Sequence, residues 1–401
     1  MLVSKTKQGE WFSLAENRNQ GHLKAIRQKE NFYCPECGEQ VILKIGTKRM
    51  THFAHQKGAA CHESYERESE YHLKGKITLY EWLESKGLLP VLEPYYKEIA
   101  QRPDIGFNYN GVQFALEYQC SVIPEELFIK RTETYLKANI TPIWLMAGKN
   151  IKRKGNTRAA LSGFDYLFLV KDAFGNWRLP AFCPVTNTFI TMHHIIPVSV
   201  KNVLTQFTIT NLKSAKLSIL LDPICKTSLQ AEDWLREIRK VKLYITHSQQ
   251  SLRNKYLQEL YAHSIIPSFL PPEIGLPVPH APYIETPAVQ WQSYLFMDIL
   301  NQQEWISMEQ ILISFRRRVR NKDVRLRKLP LNSNVNPLIA VKEYINLLVK
   351  VNILQEVGTN RFRKINSMIL AENQTQQMEL EKAFYGKYGK FIFKSLFKDQ
   401  S

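Results

Sequence analysis

Two groups of residues in this sequence have the types and spacing for metal chemistry. The first is Pro103-Asp104 followed by Glu117-Tyr118-Gln119. Residues two apart on a strand share a face, so Glu117 and Gln119 point together, and a hairpin brings Asp104 beside them. Two carboxylates at one end of a sheet suit Mg²⁺, a hard cation that takes oxygen ligands. Such an ion activates water and neutralises the charge that develops on a phosphodiester. Gln119 is neutral, so it can orient a water but cannot supply positive charge. Upstream, Glu68, His72 and Lys76 are spaced by four and stack on one helix face. Glu68 would complete the metal shell, with Glu70 its near competitor, and His72 and Lys76 would contact phosphate. Arg131 and Tyr135 form a further pair four apart, placed to touch DNA. Alone, so short an acidic pattern reads as surface carboxylates. A carboxylate inside a run as apolar as FALEY, however, costs energy unless it is paired or metal-bound.

The second group is Cys34-Pro35-Glu36-Cys37-Gly38 with His52, His55 and Cys61 downstream. Structural zinc takes four Cys or His ligands, and five candidates stand here for four places. Cys34, Cys37 and His55 are the leading three, with Cys61 ahead of His52 as the fourth. Positions three apart on an extended segment face opposite ways, which counts against His52. A lone CxxC would read as a redox pair; the downstream HxxH and Cys61 favour zinc.

The elements between these residues are legible. Leu73, Ile77, Tyr80 and Leu83 recur at helical spacing within 65–86, and Gly87 ends the run. Two extended segments follow. Asn110-Gly111 signals a tight hairpin turn, and VQFALEYQ after it reads as a strand. Pro124 opens a helix to about Lys137, and Ile140–Met146 reads as a buried strand. The chain has 401 residues and a formal charge of +17, with 44% apolar residues. This is a globular composition of two or three domains, and its basic excess favours a polyanion such as nucleic acid. Six cysteines are too few for a disulfide scaffold of this length, and no apolar stretch matches a secretory signal or a membrane span. A reducing cytoplasm is the expected compartment.

Beyond about residue 150 the pattern weakens, and 160–260 allows only a loose α/β reading. Residues 316–328, RRRVRNKDVRLRK, form a dense basic run. Arg316, Arg317, Arg318 and Arg320 there are candidate phosphate contacts, though a solvated arm explains the run equally well. Helices are expected at 303–315 and 337–354, and an irregular Pro-rich crossing at 267–287. Thr191–Pro197 contains a His193-His194-Ile-Ile-Pro string of the kind seen in HNH nucleases. Asn202 and Asn211 follow but no histidine does until His247, so a strand with two ordinary histidines is the better reading.

The string FYCPECGEQVILKIG…HFAH…C, then ESEYHLKGK, RPDI, ALEYQCS, the Arg131…Tyr135 helix and IWLM resembles, in order over about residues 30–148, the competence protein CoiA family of bacteria. PPEIGLPVPHAPY and QWQSYLF are more weakly similar to that family's C-terminal part. The resemblance implies a zinc-binding module followed by a nuclease-like domain of the PD-(D/E)xK restriction-endonuclease type, acting in the cytoplasm on DNA taken up during natural transformation. Its nuclease pattern falls on Glu68, His72, Lys76, Asp104, Glu117 and Gln119, with Arg131 and Tyr135 beside them. The expected architecture is therefore an α/β PD-(D/E)xK core at 63–150, extending to about 175. An N-terminal region (1–62) carries the zinc module at 31–62, and a mainly helical, basic C-terminal region spans 176–401. The expected activity is Mg²⁺- or Mn²⁺-dependent hydrolysis of single-stranded or duplex DNA, with Asp104 and Glu117 as ligands and Gln119 positioning water. The alternative is a non-catalytic adaptor that hands DNA to recombination proteins.

Overall fold

The structure, a computed structural model, describes residues 1–16, 19–46, 50–56, 68–223, 225–247, 253–333 and 335–397. The chain divides into two compact units. One gathers Met1–Ile151, Leu179–Thr191 and Thr208–Pro223; the other gathers Lys152–Arg178, Met192–Phe207 and Ile224–Ser401.

The first unit begins with an antiparallel sheet. Its strands are β1 (Val3–Thr6), β2 (Trp11–Ser13), β3 (Phe32–Tyr33), β4 (Gln40–Lys44) and β5 (His52–His55), in the order β2-β1-β3-β4-β5. Helix α1 (Gln20–Lys29) links β2 to β3. Along β4 only Val41 and Leu43 are buried, the alternation of a strand with one wet face. Phe12, Phe32 and Phe53 pack together with ring centroids 5.0–6.1 Å apart. They belong to the same hydrophobic core as Leu73, Leu83 and Leu116 further along the chain. The segment that carries the Cys and His candidates thus shares a core with the rest of its unit.

Next come α2 (Glu70–Ser85), β6 (Val91–Leu92), β7 (Ile105–Tyr109), β8 (Val112–Gln119), α3 (Glu125–Lys137) and β9 (Ile140–Ala147). Ser69 caps α2 by accepting from the His72 amide. Asn110 and Gly111 both take positive φ, +50° and +78°, the backbone of a two-residue hairpin turn. The register pairs Ile105 with Leu116 and so sets Asp104 next to Glu117 along the two strands. β8 and β9 run parallel with α3 between them, a crossover unit.

Alternate residues of β8 serve the two helices. Glu117 bonds to side chains of α3, whereas Tyr118 lies against α2. That second contact depends on Gly75: a Cβ there would stand 2.0 Å from the Tyr118 ring. Gly75→Ala is expected to destabilise the protein by about 1–3 kcal/mol through overpacking. A lowered urea midpoint with unchanged slope would register it.

Beyond β9 the chain forms β10 (Lys152–Arg153), β11 (Arg158–Ala160), β12 (Val170–Lys171), β13 (Trp177–Cys183), β14 (Thr188–Pro197) and β15 (Asn202–Asn211). Residues of β13, β14 and β15 are shared between the two units. In the first unit, Ala181 and Phe182 of β13 pair in parallel with Met146 and Ala147 of β9. These long strands occupy the start of the region expected to be mainly helical from 176. Most of β14 is buried, on both faces, so its sequence, TFITMHHIIP, shows no regular alternation. Helices follow only after it: α4 (Ser218–Leu221), α5 (Ala231–His247), α6 (Lys255–Ala262), α7 (Ala288–Leu295), α8 (Met308–Arg320), α9 (Ile339–Lys350) and α10 (Gln374–Leu396). Three short strands, β16 (Trp305–Ser307), β17 (Leu354–Gly358) and β18 (Arg361–Lys364), form a separate sheet ordered β16-β18-β17. Helix α8 starts at Met308 because Ser307 and Gln310 form a reciprocal capping box. The helix expected from 303 therefore begins later, behind β16.

Candidate active site

Lys76 lies on the buried face of α2 and is only 2% exposed. Its ammonium donates to Glu68 and to Glu93, and its Nζ lies 3.4 Å from Asp104 Oδ1. Asp104 Oδ2 accepts the Tyr118 amide at 2.8 Å and stands 3.2 Å from His72 Nε2. Glu93 also accepts the Leu2 amide at 3.0 Å and the Val3 amide at 3.3 Å, and the Met1 amine donates to Glu68. Three carboxylates, a lysine and a histidine thus share one pocket. Glu68, His72 and Asp104 keep 12–19% of their side-chain surface open.

The charges of this pocket sustain one another. Burial alone would strip the Lys76 proton, but Glu68, Glu93 and Asp104 hold its pKa well above the usual lysine value. Burial would likewise raise Asp104; His72 and Lys76 overrule it and hold the carboxyl well below its usual range. Glu68 follows the same logic, with burial opposed by Lys76, the Met1 amine and His72. His72 is raised: Asp104 outweighs the burial that opposes its charge.

Glu68, His72 and Asp104 each offer a donor atom within 4.8 Å of the others, a set able to hold a metal ion. Glu117 is not one of those three residues; it lies beside Asp104 across the two strands, near enough to feel its charge. Glu117 bonds residues of α3, whereas Asp104 accepts the Tyr118 amide and meets His72 and Lys76 of α2. Glu117 Oε1 accepts from Arg131 Nη2 at 2.5 Å and from the Tyr135 hydroxyl at 2.6 Å. Burial pushes its carboxyl up to about 7 against the pull of Arg131. Arg131 and Tyr135 are therefore already engaged by a carboxylate, and Arg131 also lies 5.6 Å over the Trp144 ring. The Gln119 amide donates to the Ser121 carbonyl at 3.0 Å.

Glu93 was not anticipated from the sequence. Its signal is a carboxylate between Leu92 and Pro94 in an apolar extended segment, where an unpaired charge is costly. It also adopts φ +47°, uncommon for such a residue.

In the N-terminal sheet, Cys34, Cys37 and His55 bring one donor each within 4.8 Å, with Cys37 Sγ 3.4 Å from His55 Nε2. Gly38 takes φ +74° and its amide bonds the Cys34 carbonyl, closing the knuckle. Two soft thiols and an imidazole fit zinc as three of its four ligands. His52 does not join them; its Nδ1 lies 2.9 Å from the Met50 carbonyl oxygen. Cys61 lies outside the described residues.

Arg318 is not a phosphate contact. It is 8% exposed and bonds Asp298, Glu259 and Asp323 while lying 4.2 Å over the Tyr294 ring. The spacing Met308, Ile311, Phe315, Arg318 already places it on the buried stripe of α8. Arg316, Arg317 and Arg320 are exposed, although Arg317 pairs with Asp298 at 3.0 Å. His193 and His194 lie buried in β14, and burial with neighbouring His194 and Arg178 pushes His193 down to about 3.

This combination of an acidic pocket around a lysine, a hairpin and a parallel crossover lies within a mixed α/β protein that carries a nuclease-like domain. Residues 68–224 match the family model described as the competence protein CoiA nuclease-like domain. Residues 15–64 match the N-terminal domain of that family and residues 229–378 its C-terminal domain. The chain is 31% identical over 334 residues to competence protein CoiA of Bacillus subtilis (strain 168), covering 82% of this chain and 88% of that protein. The chain belongs to the competence protein CoiA family. No solved structure matches it. Among the described residues, no helix is long and apolar enough to cross a membrane.

Proposed function

We propose that the nuclease-like domain hydrolyses DNA phosphodiester bonds with a divalent metal ion, on DNA that has entered the cell during natural transformation. The reading follows the PD-(D/E)xK plan, with Asp104 and Glu117-Tyr118-Gln119 at its sequence positions and the cytoplasm as its setting. The observation that carries it is Lys76. Gln119 brings no positive charge to the hairpin, and the buried Lys76 ammonium stands 3.4 Å from Asp104 in its place. Glu68, Asp104 and His72 would hold the ion. An oxygen and imidazole set suits Mn²⁺ at least as well as Mg²⁺. Bound there, the metal would neutralise phosphodiester charge and lower the pKa of a water. Lys76 offers its charge to a developing oxyanion. Glu93 positions Lys76, His72 moves a proton against Asp104, and Arg131 and Tyr135 flank the phosphate path from the Glu117 side. Cys34, Cys37 and His55, with Cys61 as the fourth ligand, hold a structural zinc. Purified protein is expected to carry one zinc per chain, and Cys37→Ser to lose it together with stability, read by metal analysis and thermal melting.

A second reading has one observation in its favour. The carboxylates are already compensated by cations of the chain itself, Lys76 and Arg131. A DNA-binding adaptor that passes strands to recombination proteins needs no more than that. Calorimetric titration with Mn²⁺ separates the two readings. Binding by the wild type that is lost in Asp104→Asn supports the nuclease; no binding at millimolar metal supports the adaptor.

A further inference from the structure

We infer that residues 288–364 form a winged-helix element whose third helix, α9, binds duplex DNA in the major groove. This rests on the reading of DNA as the partner, but on no residue of the carboxylate pocket. The chain order here is helix α7, strand β16, helices α8 and α9, then strands β17 and β18, and the sheet order is β16-β18-β17. A first helix and strand, a helix pair and a terminal hairpin, with the last strand central in the sheet, is the topology of a winged helix. It departs from the short-turn form only between α8 and α9, where residues 321–338 replace the usual three or four.

The surface chemistry of α9 fits that role. Ala340, Val341, Tyr344, Ile345, Leu347 and Leu348 are buried and anchor it. Lys342, Asn346 and Lys350 are exposed, and their spacing of four places them in one stripe. At 1.5 Å per residue the stripe is about 12 Å long, close to the width of the major groove. Lysines meet phosphates or guanine edges, and asparagine pairs with adenine in a bidentate way. The helix carries one acidic residue, Glu343, and His280 occupies it: the His280 amide donates to Oε2 at 2.9 Å and Nδ1 lies 2.5 Å from Oε1. The exposed stripe itself holds two lysines and no carboxylate, a charge complementary to a polyanion. Lys350 also lies 5.6 Å over the Phe391 ring.

The hairpin completes the wing. Gly358 pairs with Arg361, so Thr359 and Asn360 form the tip, and Val357 to Arg361 are all exposed. Phe362 is buried and fixes the wing to the element. Arg361 supplies the charge at its base.

The test uses the full chain in EDTA, so that cleavage plays no part, with a fluorescent duplex of 20–30 base pairs and the matching single strand. Wild type is expected to bind the duplex with an affinity that falls steeply with salt. Lys342→Ala with Lys350→Ala should weaken duplex binding at least about tenfold and lower the salt slope by about two. Lys342→Arg should bind as wild type does, with thermal melting confirming that each variant is folded. Duplex binding equal to wild type in the double lysine variant would overturn the inference, as would a loss confined to single-stranded DNA. Duplex binding through α9 in a protein that never cleaves would sustain it while the catalytic reading fell.

Discussion

Lys76→Met is expected to destabilise the protein by about 3–5 kcal/mol and to abolish DNA cleavage. The stability figure follows from breaking a buried ion pair on one side only, which leaves charges without compensation. Lys76 is 2% exposed and touches three carboxylates, so its loss forces Glu68, Glu93 and Asp104 to share a low-dielectric space. The pH dependence identifies the cause. Glu68 and Asp104 are held well below their ordinary values of 4.5 and 3.8. A depressed carboxylate contributes stability that is present above its unfolded pKa and lost as pH falls through its folded pKa. The gap between wild type and Lys76→Met should therefore be widest at neutral pH and narrow below about pH 4. Urea denaturation as a series from pH 7 down to about pH 2 measures it. A gap independent of pH would mean that lost packing, not lost charge, explains the variant. Lys76→Arg should recover part of the stability because it keeps the charge. It should recover little cleavage, since a planar guanidinium does not replace a compact ammonium in a filled pocket.

The second large effect falls on Asp104. Asp104→Asn keeps an oxygen to accept the Tyr118 amide but removes the charge that meets His72 and Lys76. Cleavage is expected to fall by at least about 10³-fold, the scale on which single electrostatic groups act in such sites. Stability should fall by only about 1–3 kcal/mol, the range for a charged hydrogen bond. His72 should also return toward the ordinary imidazole pKa, because Asp104 is what raises it. Titration of the His72 ring by NMR in both proteins reads this directly. An unmoved His72 would show that Asp104 does not govern the pocket.

Much of the site could be read from the sequence, for identifiable reasons. Asn110-Gly111 allows one hairpin geometry, and that geometry sets Asp104 against Glu117. The spacing of Glu68, His72 and Lys76 suggested one helix face; His72 and Lys76 do lie on α2 and meet Asp104, whereas Glu68 precedes the N-cap Ser69. What spacing could not show is the depth of that face. Lys76 looked like a surface lysine reaching for phosphate, whereas Gly75 lets α2 sink against Tyr118 and draws Lys76 inside. Nor could it show that Glu93, distant from the motif, would close the pocket, because that contact depends on the chain turning at a positive φ. Arg318 was misread for the opposite reason. Its basic neighbours dominated the local composition, although its own position continues the apolar stripe of α8. The strands at 177–197 were hidden by burial on both faces, which erases the period-two signal.

The central claim is that the pocket around Lys76 cuts DNA. The most direct measurement is cleavage of end-labelled single-stranded and duplex DNA in Mn²⁺ by wild type, Asp104→Asn and Glu117→Gln, with binding of the same substrates followed in parallel. The predicted result is cleavage by wild type that disappears in Asp104→Asn while DNA binding persists. Binding without cleavage by the wild type, on either substrate and with Mn²⁺ or Mg²⁺, would contradict the claim and leave the pocket as a charge-compensated scaffold for DNA handling.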